Sequence, residues 1–293
     1  MNCEIGLVAP KVTLSERVRS LVPTAPRSPA SYAVLLSSLA LLVSILLLTK
    51  TSAASLNDTG QSACYDAANI AVPCSATVAG DAGTNPRQDA RYGRDAAAGQ
   101  GKLAKTGAGA AGFDFTKIAN NGSALAASSI LGSAAADWAC TNDNVTGLVW
   151  EIKTDSGLRS RTHTYTWYST AIDNGGNAGT VGSNTCGGTL AAYGNQCNTQ
   201  NYVLAVNAAT LCGANDWRLP TRRELLSIVH LGATNPTIDT TYFPNTIADW
   251  HWTSSTSASY PAAAWLVLFY YGGSYADVKT YDYVFVRLVR GAQ

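Results

Sequence analysis

The sequence is poor in the side chains that carry chemistry. Charged residues make up 13% of it, histidines number three and methionine one, and beyond residue 54 the only glutamates are Glu151 and Glu224. No nucleophile stands beside a plausible base in a recognisable pattern, so no catalytic residue is assigned and the expectation is a protein that is not an enzyme. There is no Cys-x-x-Cys pair and no histidine at ligand spacing from a cysteine, which argues against zinc; the reading assigns no metal and no cofactor. Clusters of Lys or Arg interleaved with aromatics are also missing, and phosphate backbones are held chiefly by such clusters, so nucleic acid is not an expected partner.

What the chain does have begins with an uncharged run, Tyr32 to Leu48. Lys11, Arg17, Arg19 and Arg27 precede it, and the small residues Ser52-Ala53-Ala54-Ser55 follow. That is the layout of a secretory signal. At roughly 17 residues the run is near the lower limit for crossing a bilayer, so residues 1–54 read as a signal peptide or a signal anchor, and any membrane contact is through that anchor. Without this segment the formal charge of +1 becomes about −2. The protein is expected outside the cytoplasm, in the periplasm, at the cell surface or secreted.

Seven cysteines fit that destination, because thiols oxidise there. Cys3 lies in the leader, which leaves Cys64, Cys74, Cys140, Cys186, Cys197 and Cys212. Six cysteines allow 15 connectivities. Short spacings favour Cys64 with Cys74 and Cys186 with Cys197, leaving Cys140 for Cys212, without excluding the other pairings.

Residues 55–137 read as an Ala/Gly-rich extension. From Ala79 to Ala136 few large apolar residues occur, so loops and short turns are expected, with the compact core starting near Trp138 and running over 138–293. Gly107 to Gly112 matches Gly-x-Gly-x-x-Gly, but no predicted strand precedes it and no periodic helix follows, so it is not assigned to a nucleotide. Leu148 and Trp150 alternate as in a half-buried strand. Asn201 to Leu211 reads as a helix with Leu204, Ala208 and Leu211 on its apolar face and Gly213 as its stop. Thr221 and Glu224 form a capping box opening a second helix whose apolar face is Leu225, Ile228 and Val229. Trp250 to Arg290, rich in Trp, Tyr, Val, Ser and Thr and broken at Gly272-Gly273, reads as antiparallel strands. Two helices and a β-rich ending predict an α+β fold.

The segments Thr146-Gly-Leu-Val-Trp-Glu151, Asp216-Trp-Arg-Leu-Pro-Thr-Arg-Arg-Glu-Leu225, Asn235-Pro-Thr-Ile-Asp239, Tyr242-Phe-Pro-Asn-Thr246, His251-Trp-Thr-Ser-Ser255 and Val286-Arg-Leu-Val-Arg-Gly291 resemble, in order and spacing, motifs of the Lcl C-terminal domain family. That family is named for a collagen-like bacterial adhesin. Upstream, Gly60-Gln-Ser-Ala-Cys-Tyr-Asp66 and Pro73-Cys74 resemble segments that precede this domain. The resemblance implies a C-type-lectin-like fold, related to formylglycine-generating-type domains and to variable proteins diversified by retroelements. It also implies binding rather than chemistry, with glycans or glycosaminoglycans as the ligands of the founding adhesin; the partner expected here is a glycan or protein ligand on a cell or phage surface. The collagen-like repeat and the Glu-Pro-Asn and Trp-Asn-Asp motifs of calcium-dependent lectins are missing from this sequence, so neither trimerisation nor calcium-dependent sugar binding is carried over.

A strand over Trp265 to Tyr270 puts alternate residues on opposite sides. If Trp265, Val267 and Phe269 face the core, then Leu266, Leu268 and Tyr270 face out and join Tyr260, Tyr271, Tyr275, Tyr281 and Tyr283 as the expected ligand-binding face. Tyr with Ser and Gly is paratope chemistry: rigid amphipathic rings give contact area at small entropic cost. Between Ser254 and Phe285 only Trp265 and Lys279 belong to the residue types that adenine randomisation of Asn codons cannot produce, so the segment reads as hypervariable.

The remaining candidates for chemistry have structural readings. Glu151 and His163 are assigned to the scaffold, Glu224 to its capping box, His230 as a cation in the last turn of its helix, His251 to a turn in preference to the rim of a pocket, and Asp216, Arg218 and Asp239 to ion pairs and turns. The competing functions are a structural envelope component without a specific ligand and a relative of the formylglycine-generating enzymes.

Overall fold

Residues 57–66, 68, 70–74 and 88–291 are described by the computed structural model, all within one unit, Ala54–Gln293. The leader with Cys3, and the apolar run Tyr32 to Leu48, lie outside the described residues. Among the described residues no helix is long and apolar enough to cross a membrane.

In chain order the elements are β1 (Cys64–Tyr65), β2 (Ala71–Val72), α1 (Gly93–Gly99), β3 (Phe115–Ala119), β4 (Ala124–Leu125), β5 (Trp138–Asp143) and β6 (Val149–Glu151). There follow α2 (Thr199–Ala208), α3 (Arg222–Leu226), β7 (Trp250–Thr256), β8 (Ala263–Leu268), β9 (Ser274–Val278) and β10 (Val289–Arg290). All strand pairs are antiparallel: β1 with β2, a five-stranded sheet ordered β10-β6-β5-β3-β4, and a three-stranded sheet ordered β7-β8-β9. Disulfides join Cys64 to Cys74, Cys140 to Cys212 and Cys186 to Cys197, the pairing that the spacings favour.

The Ala/Gly-rich extension is not the loop region expected of it. Strand β3 pairs with β5 from Phe115 opposite Asp143 to Ala119 opposite Trp138, and Phe113, Phe115 and Ala119 are buried. Two large rings suffice because they are placed where others meet them: Phe113 lies 5.5 Å from Phe115, and Phe115 meets Phe243 edge-on at 5.1 Å. Small neighbours permit the close approach, since a Cβ on Gly107 would run into the Phe115 carbonyl. The core therefore starts before Trp138. The Gly107–Gly112 loop spends on carboxylates the backbone donors a phosphate would need: Thr106 and Gly107 donate to Asp114, Ala110 to Asp239 and Gly112 to Asp95.

Helix α2 is capped by the Asn198 side chain, which accepts from the Asn201 N–H at 2.9 Å. It buries Thr199, Tyr202 and Val206, whereas Leu204 is 45% exposed and Ala208 is also exposed, so the helix is rotated from the predicted face. The apolar residues of this helix are spread around it rather than gathered in one stripe, and the larger Tyr202 ring wins by packing on Tyr165 at 4.7 Å. The capping box of α3 is present, and Glu224 additionally pairs with Arg218 at 2.7 Å. That helix closes at Leu226, so Ile228 and Val229 are buried from the turn after it.

Two apolar clusters form the core. One gathers Trp167, Trp217, Trp252, Tyr165, Tyr202, Leu266 and Leu288 around two of the disulfides; the other gathers Phe113, Phe115, Trp150, Phe243, Val267 and Phe269. Strands β6 and β8 lie between them. Val149 serves the first cluster and Trp150 the second, so β6 is buried on both faces rather than half-buried.

Candidate functional site

The same position between two clusters decides the site. In β8, Leu266 enters the first cluster and Val267 the second, and Leu266 and Leu268 are 2% and 7% exposed. The expected outward leucine row does not exist, and Leu266 and Leu268 are removed from the binding face. A strand with cores on both sides needs apolar residues at every position, which in sequence looks like an apolar row facing water. Trp265, expected inside, is half-buried; its indole lies under the Arg222 guanidinium at 3.8 Å. Arg222 is held there by donating from Nε to the Ser274 hydroxyl at 2.9 Å.

The tyrosines fare differently. Tyr260, Tyr270, Tyr271, Tyr275 and Tyr283 are each half or more exposed, and Tyr281 is half-buried against the first cluster. Tyr270 and Tyr271 occupy the β8–β9 turn at Gly272-Gly273, where Gly272 has φ +82° and a close approach to Leu231 and Val229. The Tyr271 hydroxyl donates to that of Tyr275 at 3.3 Å. Tyr275 meets Trp250 edge-on at 5.2 Å, and Tyr281 and Tyr283 lie 4.9 Å apart, tilted by 31°.

The two ring pairs belong to one strip. By register Tyr275 and Asp277 project from the same face of β9, and Trp250 follows Asp249. The Phe285 N–H donates to the Trp250 carbonyl at 2.9 Å, which brings the segment of Tyr283 alongside Trp250, and the Tyr283 hydroxyl is pushed above its ordinary value by partial burial, then by Tyr281, Asp277 and Asp249. Tyr271 is likewise raised, first through its hydrogen bond to Tyr275. Tyr260 stands apart, before the start of β8 while Tyr270 follows its end. Trp250, Asp249 and Asp277 were missed from sequence; Trp250 shares parity with the buried Trp252, so alternation pointed it inward and gave no signal for its place on the strip.

The titratable candidates are dispersed. His251 lies in β7, not in a turn, and is buried; its Nδ1 donates to the Asp249 carbonyl at 2.9 Å, and burial pushes its pKa down to about 3. His230 falls beyond the end of α3 and accepts from the Gly232 N–H at 3.1 Å, with its pKa lowered by burial, so it is not the cation expected at a helix terminus. His163 is also buried and lowered by burial.

Glu151 sits deepest. It accepts from Lys153 at 3.0 Å, from the Tyr202 hydroxyl and from the Leu288 N–H at 2.9 Å, and Arg287 donates to its carbonyl at 2.6 Å. Burial pushes Lys153 down to about 8 despite the Glu151 charge. Asp216 pairs with Arg290 at 2.6 Å, and Asp239 accepts from Ala110 and Thr241, as expected of ion-pair and turn residues. Asp58, Asp89 and Asp95 bring carboxylate oxygens within 4.8 Å of one another; Asp58 caps the Asp95 N–H in α1, and Asp89 accepts from Thr59. A groove of about 740 Å³ beside the Cys140–Cys212 disulfide is lined by residues including Asn120, Asn121, Arg159, Leu211 and Asn245.

Comparison with known proteins finds a match to the family model described as the Lcl C-terminal domain over residues 139–290. No curated protein and no solved structure matches the chain.

Proposed function

The chain belongs to the Lcl C-terminal domain family, and from that membership and the aromatic strip we propose an exported, adhesin-like protein that binds a ligand through Tyr270, Tyr271, Tyr275, Tyr281, Tyr283 and Trp250. The observation that carries this reading is the exposure of so many rings on one strip while the apolar side chains beside them are buried. Tyrosines that served only packing would be covered, and a contiguous exposed aromatic surface marks an interaction site. The antiparallel sheets, the disulfides and the capped helices support a C-type-lectin-like scaffold beneath it.

A binding rather than a catalytic role accords with the burial of Glu151, Lys153 and His251. The three disulfides support export. Diversification of the segment is part of the proposal. Of the two residues that adenine randomisation cannot produce, Lys279 is buried over Trp167 and donates to the Asn174 and Asn177 carbonyls, and Trp265 stacks under Arg222. Both are framework, and the exposed tyrosines are the positions free to vary. A neighbouring template repeat in the DNA with adenine-specific mismatches is the expected genomic signature.

The binding test is a glycan and protein array probed with the wild-type chain and with Tyr271→Ser/Tyr275→Ser/Tyr283→Ser. We expect specific hits that the triple variant loses while its melting temperature stays within a few degrees of wild type. Hits indifferent to the three substitutions would place the binding site elsewhere.

A further inference from the structure

We propose that the strip recognises a cationic segment of a protein, an extended stretch bearing arginine or lysine, rather than a polyanionic glycan. The inference rests on the strip being the binding site and concerns the chemistry of its ligand.

Its first support is charge. From Asp249 to Val286 the charged residues are Asp249, Asp277, Asp282 and Lys279. The three carboxylates are exposed or half-exposed, whereas Lys279 is 1% exposed and points inward to the Asn174 and Asn177 carbonyls. Arg222, on α3, stacks on Trp265 on the opposite face from Tyr275, as the register requires. The surface thus presents carboxylates and ring faces with no opposing cation from its own segment. Ring faces carry negative quadrupole density and attract guanidinium and ammonium groups. Trp250 and Tyr275 meet perpendicularly, at 86°, so the pair offers ring faces in two orientations to such a head group. A sulfated chain would meet only repulsion here.

The second support selects a peptide. Strand β9 is the free edge of the three-stranded sheet. The bonds from Leu268 to Gly273 and from Lys279 to Ala262 fix the alternation, so Ser274 and Ala276 direct their N–H and C=O groups away from β8. Neither has a backbone partner on that side among the described residues. An extended peptide can add to this edge, its backbone matching those groups and its alternate side chains reaching Tyr275 and Asp277. A lipid head group or a polyamine has no such backbone.

The test uses the full chain and four probes: an alternating Arg-Gly peptide, the same peptide with citrulline for arginine, a heparin oligosaccharide, and phosphatidylcholine vesicles. Binding is read by Trp and Tyr fluorescence and by calorimetry. We expect the Arg peptide to bind, the citrulline peptide to bind at least roughly tenfold more weakly, and affinity to fall with added salt. Asp249→Asn/Asp277→Asn should weaken the Arg peptide roughly fivefold. Asn keeps the acceptors used by the Trp250 and Val278 N–H groups, so folding is preserved, as circular dichroism will verify. No binding of the Arg peptide, equal binding of the citrulline form, or indifference to the two Asp→Asn changes overturns the proposal. Heparin or vesicles binding through Tyr275 while the peptide does not would overturn it while leaving the strip as the binding site. Array hits indifferent to the tyrosines would overturn the strip itself.

Discussion

Burying a carboxylate costs several kcal/mol unless its lone pairs are filled, and Glu151 meets that condition with Lys153, Tyr202 and the Leu288 N–H. Removing the carboxylate leaves Lys153 and Arg287 buried beside each other without it. Glu151→Ala is therefore expected to destabilise the fold by about 3–5 kcal/mol in urea unfolding, and Lys153→Met/Glu151→Leu by less than either single change. At His251 the consequence appears with pH. Folded, its pKa is pushed down to about 3, while the unfolded side chain titrates near 6.5, so the unfolded state binds more protons between those values. The contribution to stability is complete above pH 6.5 and is lost as pH falls toward 3, by at most about 1.4 kcal/mol per pH unit for one group. His163 and His230, also lowered, act with the same sign. His251→Asn should flatten the acid limb of stability against pH by about one proton's slope; an unchanged slope would mean the ring is not neutral in the fold.

Elements bring in effects that single residues do not have. The Thr221–Glu224 box satisfies the first turn of α3, and Thr221→Ala should cost about 1 kcal/mol, read as a lowered denaturation midpoint. The Cys140–Cys212 bridge spans 72 residues and ties β5 to the turn after α2. Replacing both cysteines by serine should cost about 4 kcal/mol by the chain-entropy estimate. Strand β8 and helix α2 show where element-level reading from sequence fails. Alternation told which β8 residues share a side, but not that both sides are interior. In α2 two faces of similar polarity competed, and the choice fell to the ring of Tyr202 packing on Tyr165, a residue 37 positions away.

For the whole molecule, the five-stranded sheet joins segments from both sides of residue 138. A chain beginning at Trp138 keeps the whole span of the family match but lacks β3 and β4, exposing one edge of β5 and the faces of Trp138 and Phe243 that Phe115 and its neighbours cover. We expect that truncation to lose cooperative thermal unfolding, whereas a chain beginning at Ser55 retains it. A cooperative transition in the shorter chain would show that the preceding strands are accessory to the core.

Much of this protein was legible from local chemistry. Helix capping at Thr221, the turn at Gly272-Gly273 and the density of tyrosines near the end of the chain follow from neighbouring residues, the disulfide pairs were favoured among several by spacing, and the family motifs were readable for the same reason. Burial is not local. Whether Leu266 faces water depends on Trp252 and Val284, whether Phe115 finds a core depends on Phe243, and whether a tyrosine is free depends on what the rest of the chain leaves uncovered. The sequence by itself determined the chemistry available to a binding face. Only the tertiary structure decided which of those side chains it exposes, because exposure is set by packing between segments far apart in the chain.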